Sequence, residues 1–156
     1  MIKSEYINLF IEAAEDTFKT MCHVGIVRDG SLFTRTWGTN PVYDMTGCLR
    51  ISGRFTGSIL INMNKDIAQK AVENFLGEAI KDDATTADGF GELLNMIVGG
   101  ASARLGNGIR IALPTVSMGQ DQQIHSLKQY AWLVIPMEIP EWGKFNIEVA
   151  IREMDI

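Results

Sequence analysis

Two strand–turn–strand patterns, one in each half of the chain, set the tightest limit on the fold. Residues 47–51 and 54–63 are rich in β-branched and large apolar side chains and are separated by Ser52-Gly53. Residues 126–139 and 144–153 repeat the pattern around Pro140-Glu141-Trp142-Gly143. In the last of these strands Phe145, Ile147, Val149 and Ile151 alternate with Asn146, Glu148 and Arg152, the period of a strand with two unlike faces. Local hairpins pair antiparallel, and nothing in the chain shows the strict β-α-β alternation of a doubly wound sheet.

Each hairpin follows a helical segment and a less regular extended segment. Residues 4–21 form the first helix, with Tyr6, Phe10, Ala13, Ala14, Thr17 and Met21 on one face and Asn8, Ile11, Glu12 and Glu15 on the other. Strand-like pieces follow at 24–28 and 32–36, then a turn at Gly38-Thr39-Asn40-Pro41. A short helix over 65–76 starts after Asn64 and stops at Gly77, with Ala68, Val72, Phe75 and Leu76 inward. Residues 81–86 read as a polar link, 87–105 as a long helix, 109–118 as extended and 119–123 as a polar turn. The two halves rhyme in pattern more than in identity. The expected fold is α+β (mixed α/β), with duplicated helix-plus-hairpin units and an antiparallel sheet packed with long amphipathic helices. At 156 residues the whole chain, 1–156, is expected to form a single domain.

Composition removes several classes of function. A net charge of −5 argues against nucleic acid, whose phosphates demand clustered Lys and Arg. Cys22 and Cys48 are far apart, with no CxxC and no neighbouring His pair, so zinc is not expected. They read as two buried thiols of a reducing compartment, with a disulfide as the other reading. His23 and His125 are isolated and read as surface or core-edge residues. The start Met1-Ile2-Lys3-Ser4-Glu5-Tyr6 lacks the pattern of a signal peptide, and no apolar run approaches the roughly 20 residues of a membrane span. A cytoplasmic protein is expected. GxxxxGK[ST], HExxH and GxSxG are missing, as is a GxGxxG following a strand.

The long helix is the most informative stretch. Phe90, Leu93, Leu94, Ile97, Val98, Ala101 and Leu105 recur at helical spacing and predict one buried stripe. The opposite face then carries Glu92, Asn95, Met96, Gly99, Ser102 and Ala103. A merely solvated face would carry Lys, Glu, Arg and Gln. This one has a single acid, a single amide and several small or apolar residues. Gly99 costs the helix about 0.5–1 kcal/mol relative to Ala. Two explanations are open: Gly99 and Ala103 pack under another element of the same domain, or the face docks a partner protein. Glu92 and Asn95 stand three apart and project from one surface. Asn does not titrate, so the pair is poorly suited to acid–base work. An amide can instead accept a hydrogen bond from a water and donate another, aligning that water for attack on an activated phosphoryl group.

The segment Gly91-Glu92-Leu93-Leu94-Asn95-Met96-Ile97-Val98-Gly99 resembles the phosphatase helix of the CheC/CheX/FliY family, approximately E-x-x-N-x-x-x-G. Tyr6-Ile7-Asn8 with Phe10-Ile11-Glu12-Ala13 looks like the first helix of CheX proteins. Leu113-Pro114-Thr115-Val116, followed by Gly119 and His125, is similar to the segment after the family's main helix. The length suits CheX, without the added motor domain expected of FliY. The resemblance implies a phosphatase of the phosphorylated chemotaxis regulator CheY. Asn95 would orient the attacking water, and Glu92 would bind the regulator's active-site Lys. Met96, Gly99, Ser102 and Ala103 would belong to the partner-binding face. Mg2+ would sit on the regulator, with no cofactor or metal bound by this chain, and the resemblance also implies a homodimer joined through its sheets. A non-catalytic module that binds a receiver or another signalling protein without hydrolysis is the alternative. Two departures stand out. The first helix reads Glu12-Ala13-Ala14-Glu15, with a carboxylate where CheC has a second amide, so one working site is expected. Gly100 stands where many members carry Asn.

Overall fold

A computed structural model describes residues 3–35, 43–119 and 131–155 of the chain. The predicted turn at 38–41, most of the polar turn at 119–123, His125 and the first part of the predicted strand 126–139 lie outside these residues. Three helices and eight strands are described: α1 (Ser4–Cys22), β1 (Val27–Arg28), β2 (Phe33–Arg35), β3 (Met45–Gly53), β4 (Phe55–Met63), α2 (Lys65–Leu76), α3 (Asp83–Leu105), β5 (Ile109–Ile111), β6 (Thr115–Met118), β7 (Trp132–Ile139) and β8 (Gly143–Glu153).

Both predicted hairpins form, β3 with β4 and β7 with β8, and every pairing among the described residues is antiparallel. The sheet runs β1-β7-β8-β4-β3-β5, with β2 also on β7 and β6 also on β3. The duplicated units exchange their edges. The first unit's β1 and β2 lie on the second unit's β7, and the second unit's β5 and β6 lie on the first unit's β3. The last strands of the two units, β4 and β8, pair at the centre, with Ile61 opposite Ile147. The expected α+β architecture therefore holds, with α2 as an insertion between the units.

Period-two patterning places Leu49, Ile51, Ile59, Ile61, Ile135, Ile147 and Val149 on the face that packs with the helices in one continuous core. From α1 that core takes Ile7, Phe10, Ile11, Ala13, Ala14, Phe18 and Cys22. Ile11 is thus buried, not on the outer face expected for it; the stripe is centred on Phe10, Ala14 and Phe18, which shifts it toward Ile7 and Ile11. In α2 the inward residues are Ile67, Ala68, Ala71 and Val72, whereas Leu76 at the last turn is exposed. Asn64 does not cap α2 with its own side chain. Asp44 does so from the start of β3, accepting from the Lys65 N–H at 2.6 Å. Cys22 and Cys48 are free thiols, and burial pushes the Cys22 thiol up to about 12. His23 is exposed, in a left-handed conformation at the end of α1.

The opposite face of the sheet is also largely withdrawn from solvent, which the polar half of the alternation did not suggest. Leu60, Trp132 and Ala150 form a small apolar cluster there. Asn62 donates to the Met45 carbonyl at 2.9 Å and to Thr46 Oγ1 at 2.8 Å, and its Oδ1 accepts from the Tyr43 N–H at 3.2 Å. Glu148 is paired with Arg35 at 2.6 Å, their side chains 5% and 10% exposed. This pair fastens the short β2 to the sheet.

Burial drives the Glu148 carboxyl above its ordinary value, with the Arg35 charge and hydrogen bond pulling the other way. A carboxyl that binds its proton more tightly when folded favours the folded state on protonation. Its contribution is greatest below the unfolded value of about 4.3 and declines as pH rises through the folded value. Arg35→Met leaves that carboxylate buried without its cation and is expected to cost about 3–5 kcal/mol at pH 7. Without the cation the carboxyl holds its proton to higher pH, so the penalty should shrink at pH 5. Urea denaturation of both proteins at the two pH values measures this, and an equal penalty at both would contradict it.

Candidate functional site

The site is built on α3, which begins a turn earlier than expected. Asp82 caps it, accepting from the Thr85 N–H at 2.7 Å, so residues 83–86 are helix instead of a polar link. The same contacts with Thr85 hold the Asp82 carboxyl below its ordinary value. All seven predicted stripe residues, Phe90, Leu93, Leu94, Ile97, Val98, Ala101 and Leu105, are buried.

Gly47 and Gly89 allow two neighbours of α3 to approach closely, whereas the contacts at Gly91 and Gly100 are ordinary ones. A Cβ on Gly47 of β3 would lie 2.9 Å from the Phe90 ring and 3.2 Å from Leu94, so the helix rests directly on the sheet backbone there. Gly89 faces α2, where a Cβ would meet Val72 at 2.2 Å. Gly100 faces α1, where a Cβ would lie 3.4 Å from Ala13. Arg104 reinforces this side through an ion pair with Asp16 and a 3.1 Å bond to the Gly100 carbonyl. Gly91 faces the connection between β5 and β6, with Pro114 3.4 Å and Val116 3.7 Å from where its Cβ would be. The departure at Gly100 therefore lies on the α1–α3 contact.

Gly99 differs from all of these. A Cβ there would meet nothing within 4 Å. Of the two explanations open for this glycine, packing under another element of the domain has no support among the described residues. The outer arc of α3 is framed by α1 on one side and the β5–β6 connection on the other. Glu92, Asn95 and Ala103 are exposed on it, and Met96, Gly99 and Ser102 are half-buried. All six predicted face residues thus occur together. Among the described residues neither the Glu92 nor the Asn95 side chain has a hydrogen-bond or ion-pair partner. Both side chains are available to a ligand arriving from solvent, and both stand on rigid backbone.

On α1, Glu12 and Glu15 are likewise exposed. This E-x-x-E pair is accessible, but it offers two acceptors and no donor. Among the described residues no group of three or more His, Cys, Asp or Glu could hold a metal ion, and no helix is long and apolar enough to cross a membrane. Sequence reasoning missed two features: the Asp44 cap, and Leu113, which is 88% exposed just before Pro114. The first has a signal in the sequence only when the fold brings β3 to the start of α2. Leu113 reads as an ordinary apolar residue of an extended segment.

The family model described as chemotaxis phosphatase CheX matches residues 45–138. Solved structures match over nearly the full length. A chemotaxis protein CheX from Desulfovibrio desulfuricans is 28% identical, with a TM-score of 0.80, over 96% of this chain and 99% of that one. A putative chemotaxis protein from Desulfovibrio vulgaris Hildenborough is 26% identical, with a TM-score of 0.74, over 95% and 97%. The CheX of a CheX–CheY–BeF3–Mg2+ complex from Borrelia burgdorferi shares the fold at 24% identity and a TM-score of 0.74, over 95% and 98%. No curated protein matches at a significant level.

The open surroundings of Gly99 give a direct test of why the glycine is there. Gly99→Ala removes a helix penalty and meets no other element among the described residues, so it should stabilise the protein by about 0.5–1 kcal/mol. Denaturant titration reads this. Destabilisation would mean that the fold itself needs the glycine.

Proposed function

The chain belongs to the chemotaxis phosphatase CheX family, and from that premise we propose that it hydrolyses the aspartyl phosphate of a CheY-like response regulator. One observation carries the reading: an exposed acid and an exposed amide, Glu92 and Asn95, stand three residues apart on a helix face left open at Gly99.

The chemistry asked of this chain is small. An acyl phosphate is already activated, so the requirement is a water held in line with the bond that breaks. The Asn95 carbonyl oxygen accepts a hydrogen bond from that water, leaving a lone pair directed at phosphorus. Its amide N–H donates to a phosphoryl oxygen or to the water. The new bond joins the water oxygen to phosphorus. The bond from phosphorus to the aspartate oxygen breaks, and its electrons return to the regulator's carboxylate. The water's proton leaves with inorganic phosphate and bulk solvent. Mg2+, held by the regulator, neutralises the phosphoryl oxygens. Glu92 pairs with a lysine of the regulator and fixes the angle at which Asn95 enters. Met96, Gly99, Ser102 and Ala103 give that approach a surface without long side chains in the way.

On this reading α1 is not a second centre. Glu15 lies where an amide would be needed, and a carboxylate there repels the phosphoryl group and cannot donate to it. A homodimer joined through the sheets belongs to the same proposal.

Asn95→Ala should remove the acceleration of phosphate loss, by about a hundredfold or to the regulator's own rate, while binding to the regulator persists. Release of phosphate from a phosphorylated CheY-like receiver in Mg2+, followed with and without each protein, measures it. Unchanged decay in the presence of wild-type protein that nevertheless binds would establish the non-catalytic module instead.

A further inference from the structure

We propose that Leu113 is an apolar anchor for the phosphorylated receiver, seated on the rim of the Glu92–Asn95 face and setting affinity instead of turnover. The inference rests on the functional reading above and names a further contact of the same site.

Four observations carry it. Leu113 is 88% exposed, well beyond any other large apolar residue among those described; Phe33, the next, is 51% exposed. The backbone around it is fixed. Ala112 donates to the Arg50 carbonyl at 2.9 Å, β5 pairs with β3 on one side, and β6 pairs with β3 on the other. Pro114, with its restricted φ, follows immediately. The connection also lies against the catalytic helix: Pro114 and Val116 pack at Gly91, which is adjacent in sequence to Glu92 and one helical turn before Asn95. Finally, beyond the two acids Asp88 and Glu92 and the amide Asn95, the neighbouring face is continued by Met96, Gly99 and Ala103 as a weakly polar surface.

A lone exposed leucine on a loose loop would mean little. One held on paired backbone beside the reacting groups loses little freedom on binding, so most of its burial appears as affinity. The partner it fits is the receiver whose phosphate Asn95 addresses, through apolar side chains bordering the phosphorylation pocket. Because an apolar side chain takes no part in the hydrolysis itself, Leu113 is a positioning and affinity residue.

The test uses Leu113→Ser, Leu113→Met and, as a control at the end of α2, Leu76→Ser. Affinity for a CheY-like receiver activated with beryllofluoride and Mg2+ is measured by titration, and KM and kcat are measured on the phosphorylated receiver. Leu113→Ser should weaken binding and raise KM about tenfold, the factor expected for losing the burial of most of one leucine side chain. Its kcat should be unchanged, Leu113→Met should restore affinity, and Leu76→Ser should behave as wild type. Full activity with wild-type affinity and KM in Leu113→Ser overturns the inference and leaves the phosphatase reading intact. Binding by wild type that Leu113→Ser weakens, without hydrolysis by either, supports the anchor and overturns the phosphatase reading. Neither binding nor hydrolysis by wild type overturns both.

Discussion

The seating of α3 on the sheet is the constraint from which the rest of the site follows. Gly47 brings Phe90 and Leu94 onto the backbone of β3, and the stripe from Phe90 to Leu105 is buried behind them. Gly89 then sets how close α2 lies, while α1 at Gly100 and the β5–β6 connection at Gly91 pack at ordinary contact distances. With those contacts closed, an outer arc carrying Asp88, Glu92, Asn95, Met96, Gly99, Ser102 and Ala103 remains open on the helix. Its direction is fixed by packing of side chains that do no chemistry. Apolar burial therefore fixes the helix backbone that carries Asn95, so that only its side chain remains to be ordered by a ligand.

The exchange of edge strands explains how so short a chain makes this helix rigid. Each unit's hairpin is completed by the other unit's β1–β2 or β5–β6, and β4 and β8 join the halves at the centre. Neither unit can close its sheet alone. The duplication also places α1 beside α3, and the two helices carry comparable exposed E-x-x-N and E-x-x-E positions. Only α3 has an amide that can both accept and donate. The difference between the two helices is thus chemical, since Glu12 and Glu15, like Glu92 and Asn95, are exposed.

Most of the fold was legible because its two periods are clean. The β8 alternation and the α3 stripe gave the correct faces, and the hairpins gave antiparallel pairing. Three things escaped for physical reasons. The stripe of α1 was misjudged at Ile11, because Ala13, Ala14 and Thr17 are small or ambiguous and leave the angle of the face poorly determined. The start of α3 was placed late, because Lys81-Asp82-Asp83 reads as a charged link until the Asp82 side chain is seen to cap the helix. Burial of Glu148 was invisible, since its partner Arg35 is 113 residues away and alternation alone assigns it to solvent. In the site, Glu92 and Asn95 were legible from composition: one acid and one amide on a face otherwise small or apolar. What composition could not decide was whether Gly99 served internal packing, and the open space around it answers that.

The most direct test is a structure of this chain bound to a CheY-like receiver that carries beryllofluoride and Mg2+. The account predicts that the outer face of α3 covers the receiver's phosphorylation pocket. The Asn95 amide should lie within hydrogen-bond distance of the beryllofluoride or of a water in line with it, and the Glu92 carboxylate should pair with a receiver lysine. A complex in which the receiver engages another surface, leaving Asn95 in solvent, would contradict it.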